Sequence, residues 1–137
     1  MVAMQVGRAL VMQCAKFGTV SLTHANVKGQ VNLLGTEVSG NVNMMGLAVA
    51  EDLIMRTRSR FNQNVDLTRA KVGGDINLSY ASIGGQLVLD NADIGTDLHM
   101  RYLRGSNDPQ SMMASLKFFR VGASLDLEGA ACASLDI

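Results

Sequence analysis

An apolar pattern that repeats every eleven residues limits what this chain can fold into. Three consecutive segments align without a gap: AKVGGDINLSY, ASIGGQLVLDN and ADIGTDLHM. The first carries small or apolar residues at offsets 0, 2, 6 and 8, namely Ala70, Val72, Ile76 and Leu78. Residues spaced i, i+2 share one face of an extended strand, whereas these offsets do not form the 3.6-residue stripe of a helix. The pattern therefore predicts two short strands in every unit.

The same unit continues in both directions and gives twelve units in all. Single-residue slips occur in the second, fifth and twelfth units. The tenth unit starts at Leu103 and resumes at Ala114 after a five-residue insertion, within the segment GSNDPQSMM. No linker or low-complexity tract interrupts the repeat. We predict a single repeat domain over residues 1–137, with a loop insertion at about 105–113.

Two units make a better full turn of a solenoid than one. Eleven residues per turn would enclose almost no core, and narrow solenoids usually need disulfides that two cysteines cannot supply. In a four-sided coil of two units, each side contributes one apolar pair to the interior. We therefore predict an all-β fold, a quadrilateral parallel β-helix of about six coils of ~22 residues.

Glycine recurs in the three-residue gaps of the repeat. Because glycine alone takes positive φ without strain, we expect these gaps to be left-handed corners. The glycines concerned are Gly7, Gly29, Gly40, Gly73, Gly74, Gly84, Gly85, Gly95 and Gly122.

Four segments resemble the A-(D/N)-L-x-x core of pentapeptide-repeat proteins: Ala25–Val27, Ala70–Val72, Ala81–Ile83 and Ala92–Ile94. The resemblance implies a right-handed quadrilateral β-helix, although every second side is one residue longer here. The stretch VGGDINLSYASIGGQLVLDNA is similar to long bacterial repeat proteins with G-G-D-L-x-L units, often labelled membrane-associated oxidoreductase. The sequence has no nucleotide loop, flavin motif or redox cysteine pair, so the resemblance concerns architecture and we expect no cofactor.

Composition argues against several kinds of partner. Twelve basic residues balance twelve acidic ones, so no overall field attracts nucleic acid or an anionic membrane. No apolar run approaches the ~18 residues of a membrane span, and the N-terminus lacks a signal-peptide layout. Cys14 and Cys132 have no metal-ligand spacing and are expected to be buried, reduced thiols. We predict a cytoplasmic protein that binds no nucleic acid.

Few residues offer catalytic or metal chemistry. His24 and His99 are expected to be separate, solvated surface histidines. The Gly-Gly pairs lack the Lys-Ser or Lys-Thr of a phosphate loop. An acidic group at Asp75, Asp90, Asp93 and Asp97 lacks the nonapeptide repeat of calcium-binding solenoids. We therefore expect no catalytic residue and no metal site.

Basic residues gather in the middle of the chain and are expected to form a positive strip on one side of the rod. Without aromatic stacking partners in the pattern, a nucleic-acid surface is only weakly indicated. The residues are Arg56, Arg58, Arg60, Arg69, Lys71, Arg101 and Arg104.

The leading functional hypothesis is a non-enzymatic structural or interaction protein. A solenoid end exposes unpaired backbone and an apolar cross-section, and the repeat occupies both ends of the sequence. We expect another copy, in a homodimer, or a protein partner to cover these faces; a longer rod would also do so. The predicted interaction residues are Val11, Leu34, Met45, Ile54, Val88, Asp108, Met112 and Met113.

The alternative hypothesis is a small-ligand binder or an enzyme with a groove beside the 105–113 loop. Loops carry function more often than regular elements do. A pocket with converging polar groups beside this loop favours the alternative, and a flat loop argues against it.

Overall fold

The computed structural model describes residues 4–106 and 112–137, and over these residues the chain is a stack of short strands and tight turns. The first three coils contain β1 (Gln5–Val6), β2 (Leu10–Val11), β3 (Lys16–Phe17), β4 (Val20–Ser21), β5 (Asn26–Val27), β6 (Val31–Asn32), β7 (Glu37–Val38), β8 (Val42–Asn43), β9 (Ala48–Val49), β10 (Leu53–Ile54), β11 (Arg60–Phe61) and β12 (Val65–Asp66). The next three contain β13 (Lys71–Val72), β14 (Ile76–Asn77), β15 (Ser82–Ile83), β16 (Gln86–Val88), β17 (Asp93–Ile94), β18 (Leu98–His99), β19 (Arg104–Gly105), β20 (Met113–Ser115), β21 (Arg120–Val121), β22 (Leu125–Asp126) and β23 (Ser134–Asp136).

Equivalent strands of successive coils pair in parallel and form four sheets, one for each side of the coil. Sheet A contains β1, β5, β9, β13, β17 and β21, and sheet B contains β2, β6, β10, β14, β18 and β22. Sheet C contains β3, β7, β11, β15 and β19, and sheet D contains β4, β8, β12, β16, β20 and β23. Lys71 pairs with Asp93, which is one coil of about 22 residues further on. The predicted all-β solenoid of about six four-sided coils is therefore confirmed.

The core is the interior of the coil, and the two-residue period of the strands fills it. In sheet B, Leu53, Ile76 and Leu98 stack on one another, and each is fully buried. In sheet C, Phe61 lies between Val38 and Ile83 and is also fully buried. Apolar side chains from the four sides thus form one continuous core.

Two of the four corners are tight turns with a left-handed residue. Corner BC (residues 12–15 in the first coil) and corner DA (residues 22–25) join the sheets after which they are named. Each of these corners contains a residue with positive φ. In chain order these residues are Cys14, His24, Gly35, Gly46, Arg58, Arg69, Tyr80, Asn91, Tyr102, Phe118 and Gly129. The side-chain oxygen of an outward Asn or Asp at the end of the preceding strand often accepts a hydrogen bond from the backbone N–H two residues further on. For example, Asn77 Oδ1 accepts the N–H of Ser79 at 3.0 Å. This Asx turn explains why Asn and Asp recur on the outward side.

The glycine-rich corners, AB (residues 7–9 in the first coil) and CD (residues 18–19), differ from the prediction. Their glycines do not have positive φ, so the expected left-handed conformation is wrong for them. A Cβ at Gly122 would instead overlap the carbonyl oxygen of Gly95, and one at Gly95 would overlap that of Gly73. Glycine is required at Gly95 and Gly122 because the backbones of successive coils approach closely there.

None of the described residues belongs to a helix long and apolar enough to cross a membrane. The insertion lies in corner CD of the fifth coil, between β19 and β20. Residues 107–111 of the insertion lie outside the described residues.

Candidate functional site

The predicted interaction residues do not form one surface. Val11 and Ile54 lie on the outward face of sheet B, whereas Val88 and Met113 lie on sheet D, on the other side of the coil. Val11 is 58% exposed and Met113 is 49% exposed, while Ile54 and Val88 are half-buried. A single flat partner could therefore not contact all four of them.

The remaining predicted interaction residues are also dispersed. Leu34 lies in corner BC and Met45 in corner DA, and both are half-buried. Met112 is fully buried, so its prediction as a surface residue is wrong: the chain re-enters the core before β20. Asp108 lies outside the described residues.

Cys14 also differs from the prediction. Its thiol is exposed rather than buried, because the residue occupies the left-handed position of corner BC (φ 52°), where side chains point outwards. Cys132 is half-buried.

A concave surface on the outward face of sheet C is the strongest candidate for a binding site. It has a volume of about 800 Å³, and its lining includes Gly105 and Ser106. We call it the arginine–tyrosine groove; its described lining residues are Thr57, Arg58, Ser59, Arg60, Tyr80, Ser82, Arg104, Gly105 and Ser106. The alternative functional hypothesis predicted a pocket with converging polar groups at this place.

The register of sheet C forms the floor of the groove. Arg60, Ser82 and Arg104 occupy the same outward position on three successive strands. Adjacent strands are about 4.8 Å apart, so the backbones of the two arginines are separated by about 10 Å. The short serine between two long side chains leaves a depression with a guanidinium group on either side.

A fifth residue in one corner supplies the third arginine. Corner BC has five residues between β10 and β11 instead of four, and Thr57 and Arg58 both have positive φ, 46° and 62°. A β-branched residue rarely adopts this conformation, which costs on the order of 1–3 kcal/mol. The buried Ser59 hydroxyl lies 2.8 Å from the carbonyl oxygen of Arg56 and 2.9 Å from that of Leu33, which ties the corner to the preceding coil. The strained turn is thus held in place with Arg58 at the groove.

Two tyrosines border the arginines along the same corner. Tyr80 and Tyr102 follow Arg58 at one-coil intervals, and their rings stack with centroids 5.2 Å apart at an angle of 20°. Gly129 in the next coil leaves room for the ring of Tyr102, which a Cβ there would overlap. Tyr80 lines the groove and is 58% exposed. Sequence reasoning missed these aromatic partners, although the coil period aligns them with Arg58.

The charged residues in the described lining of the groove are all positive. Its described lining contains three arginines and no acidic residue. Across residues 4–106 and 112–137, no carboxylate lies within 4.0 Å of these three guanidinium groups. Glu37, the ladder neighbour of Arg60, instead approaches Lys16 at 3.9 Å. The groove therefore concentrates positive charge on a chain whose net charge is zero.

Comparison with known proteins gives no further assignment of this site. No family model, no curated protein and no solved structure matches the chain. The parallel β-solenoid of about six turns is consistent with a pentapeptide-repeat-like architecture. The function therefore has to be argued from the chemistry of the groove.

Proposed function

We propose that this chain is a non-enzymatic binding protein whose solenoid presents the arginine–tyrosine groove to a small anionic ligand. The observation that carries the proposal is the convergence of Arg58, Arg60 and Arg104 on one concavity without a carboxylate in its described lining. An anion bound between these guanidinium groups would gain charge-assisted hydrogen bonds and reduce their mutual repulsion.

The chemistry of the side chains narrows the ligand to a phosphate- or carboxylate-bearing molecule. Guanidinium groups donate two parallel hydrogen bonds to the oxygens of such anions. Arginines on strands about 10 Å apart suit a ligand with two linked anionic groups better than a single ion. The exposed ring of Tyr80 adds a stacking surface for a planar part of the ligand.

The same side chains favour binding over catalysis. The described lining residues include no histidine, cysteine, aspartate or glutamate. General acid–base catalysis most often depends on these residue types, and a serine nucleophile needs such a base beside it. The resemblance to pentapeptide-repeat and G-G-D-L-x-L proteins concerns the scaffold alone, and we propose no redox activity for this chain.

Tyrosine fluorescence tests the proposal directly. The chain contains two tyrosines and no tryptophan; Tyr80 lines the groove and Tyr102 stacks on Tyr80. Titration with inorganic pyrophosphate should give a saturable change with one equivalent bound. Arg104→Ser should weaken binding by about tenfold or more, because it removes charge-assisted hydrogen bonds. Serine already occupies this ladder position in β15, so the fold should tolerate it.

The matched control is Lys71→Ala on sheet A, on the opposite side of the coil. It also removes one positive charge, and alanine occupies the same ladder position in β9. Its binding should remain within about twofold of the parent, because the screened field of a distant charge is weak. A titration without saturation, or equal losses in Arg104→Ser and Lys71→Ala, would refute the groove as the binding site.

Self-association of the rod is the second candidate function. The observation that favours it is the aromatic side chain of Phe118 at corner DA of the fifth coil, which is 83% exposed. A second copy that covers this side chain would bury its apolar surface.

Sedimentation equilibrium tests this second candidate. The parent should form a dimer at micromolar concentration, and Phe118→Asn should shift the equilibrium towards monomer by about tenfold or more. Asparagine already occupies the equivalent left-handed corner at Asn91, so the turn should be preserved. A parent that is monomeric throughout, or a variant that dimerises equally well, contradicts self-association through this side chain.

A further inference from the structure

Two aspartates and a histidine meet where sheets A and B join, outside the groove. Asp75 and Asp97 occupy corner AB of successive coils, and His99 lies on the outward face of β18. The His99 Nε2 atom is 3.5 Å from Asp75 Oδ2 and 3.9 Å from Asp97 Oδ2. One ligand atom from each residue lies within 4.8 Å of the others. One nitrogen and two oxygen donors therefore share a small, partly exposed space.

Hydrogen bonds to the other carboxylate oxygens orient both aspartates. Asp75 Oδ1 accepts the N–H of Asp97 at 3.0 Å and the hydroxyl of Thr96 at 2.5 Å. Asp97 Oδ1 accepts the N–H and the hydroxyl of Ser124 at 2.9 and 2.8 Å. The Oδ2 atoms of both residues are left facing the imidazole, and contacts of this kind orient metal ligands in proteins.

The geometry gives a reason for a cation between these groups. Oδ2 atoms of two carboxylates face the same imidazole nitrogen at 3.5 and 3.9 Å. Carboxylates that approach one another in this way repel, and a divalent ion bound to all three groups offsets the repulsion.

The distances suit a tetrahedral ion. Zinc bonds to nitrogen and carboxylate oxygen are about 2.0–2.2 Å long, so neighbouring donors of a tetrahedron lie roughly 3.3–3.6 Å apart. The separation of 3.5 Å from Asp75 to His99 falls in this range, and the 3.9 Å from Asp97 exceeds it by a few tenths of an ångström. All three ligand atoms lie within 4.8 Å of one another, so binding of the ion would have to draw them together by side-chain rotation.

We propose that Asp75, Asp97 and His99 bind a divalent transition-metal ion of the zinc class, with water as the fourth ligand. Imidazole nitrogen combined with carboxylate oxygen favours such ions over magnesium or calcium, which prefer oxygen donors alone. Because the ligands come from two successive coils, the bound ion cross-links the stack. This site is independent of the groove, and either proposal can fail without the other.

Calorimetric titration with zinc on a Cys14→Ser/Cys132→Ser background tests the site, because the thiols can then not compete for the ion. One equivalent of zinc should bind and raise the melting temperature. Cobalt in its place should give the visible absorption of a tetrahedral site. His99→Asn should weaken binding by about tenfold or more. Asparagine occupies the same ladder position at Asn77, so the variant should fold normally.

Two further variants separate ligation from general effects. Asp75→Asn keeps a carbonyl oxygen for the N–H of the next coil, as Asn64 does for Gln86 at 2.8 Å, but removes the charge; it should also weaken binding. His24→Asn alters the other histidine, at exposed corner DA, and should leave affinity unchanged. Absence of zinc binding to the parent, or equal affinities for the parent and His99→Asn, overturns the proposal.

Discussion

Replacing Ile76 with aspartate is expected to lower the free energy of unfolding by about 5 kcal/mol or more, enough to unfold a typical domain. Ile76 is fully buried in the middle of sheet B, between Leu53 and Leu98. The substitution removes a large apolar side chain and places a carboxylate in an interior where its neighbours on the ladder are aliphatic. Burial of an unpaired charge costs several kcal/mol in addition to the lost apolar contacts.

The adjacent residue provides the matched control for this prediction. Asn77→Asp introduces the same carboxylate one position along the strand, on the outward face, where Asp126 occupies the same ladder position two coils on. Aspartate can still accept the N–H of Ser79, so the change should remain within about 0.5 kcal/mol. Urea unfolding followed by circular dichroism measures both variants. Similar losses for the two would contradict the assignment of inward and outward faces.

Phe61→Ala is expected to lower the free energy of unfolding by about 3–5 kcal/mol. Phe61 is among the largest fully buried side chains, and Val38 and Ile83 flank it in sheet C. Its removal leaves a cavity directly beneath the strand that carries Arg60. Because that strand forms part of the groove floor, pyrophosphate binding should also weaken.

Arg60→Ser is the control that separates stability from binding. It changes the outward neighbour of Phe61 to the residue found at the same ladder position in β15. Stability should change by less than about 0.5 kcal/mol, whereas binding should weaken by about tenfold or more. Urea unfolding and the fluorescence titration measure the two quantities. A cost below about 1 kcal/mol for Phe61→Ala would show that the core is not closely packed at this point.

Much of the fold could be predicted because every strand buries its own apolar pair. The spacing of Ala70, Val72, Ile76 and Leu78 reports directly which side chains point inwards. The length of about 22 residues per coil could be predicted because a turn of eleven residues would enclose almost no core. Both inferences rest on the same apolar spacing in twelve units. One irregular unit, such as the one with the extra residue before β11, therefore does not hide the pattern.

The conformation of the corners and the composition of the groove were harder to predict from the sequence. Gly95 suggested a left-handed turn, but glycine is needed there because the backbone of the preceding coil approaches closely, which the pattern within one unit does not report. Tyr80 is at least 20 residues from each groove arginine in the sequence, and Tyr102 is near Arg104 alone. The two rings meet each other and the arginines only when the coil period is applied to outward positions. The pattern marks Val11 and Val88 as outward residues, but they lie on different sides of the coil, sheets B and D, and so cannot share one surface.

Two-dimensional NMR of the arginine side chains tests most directly whether the groove is the binding surface. On addition of pyrophosphate, the Nε–Hε signals of Arg58, Arg60 and Arg104 should shift together and saturate at one equivalent, as should the ring signals of Tyr80. The signals of Arg120, on sheet A, should stay unchanged. Equal shifts of all arginine signals, or shifts confined to arginines outside the groove, would contradict the proposed function.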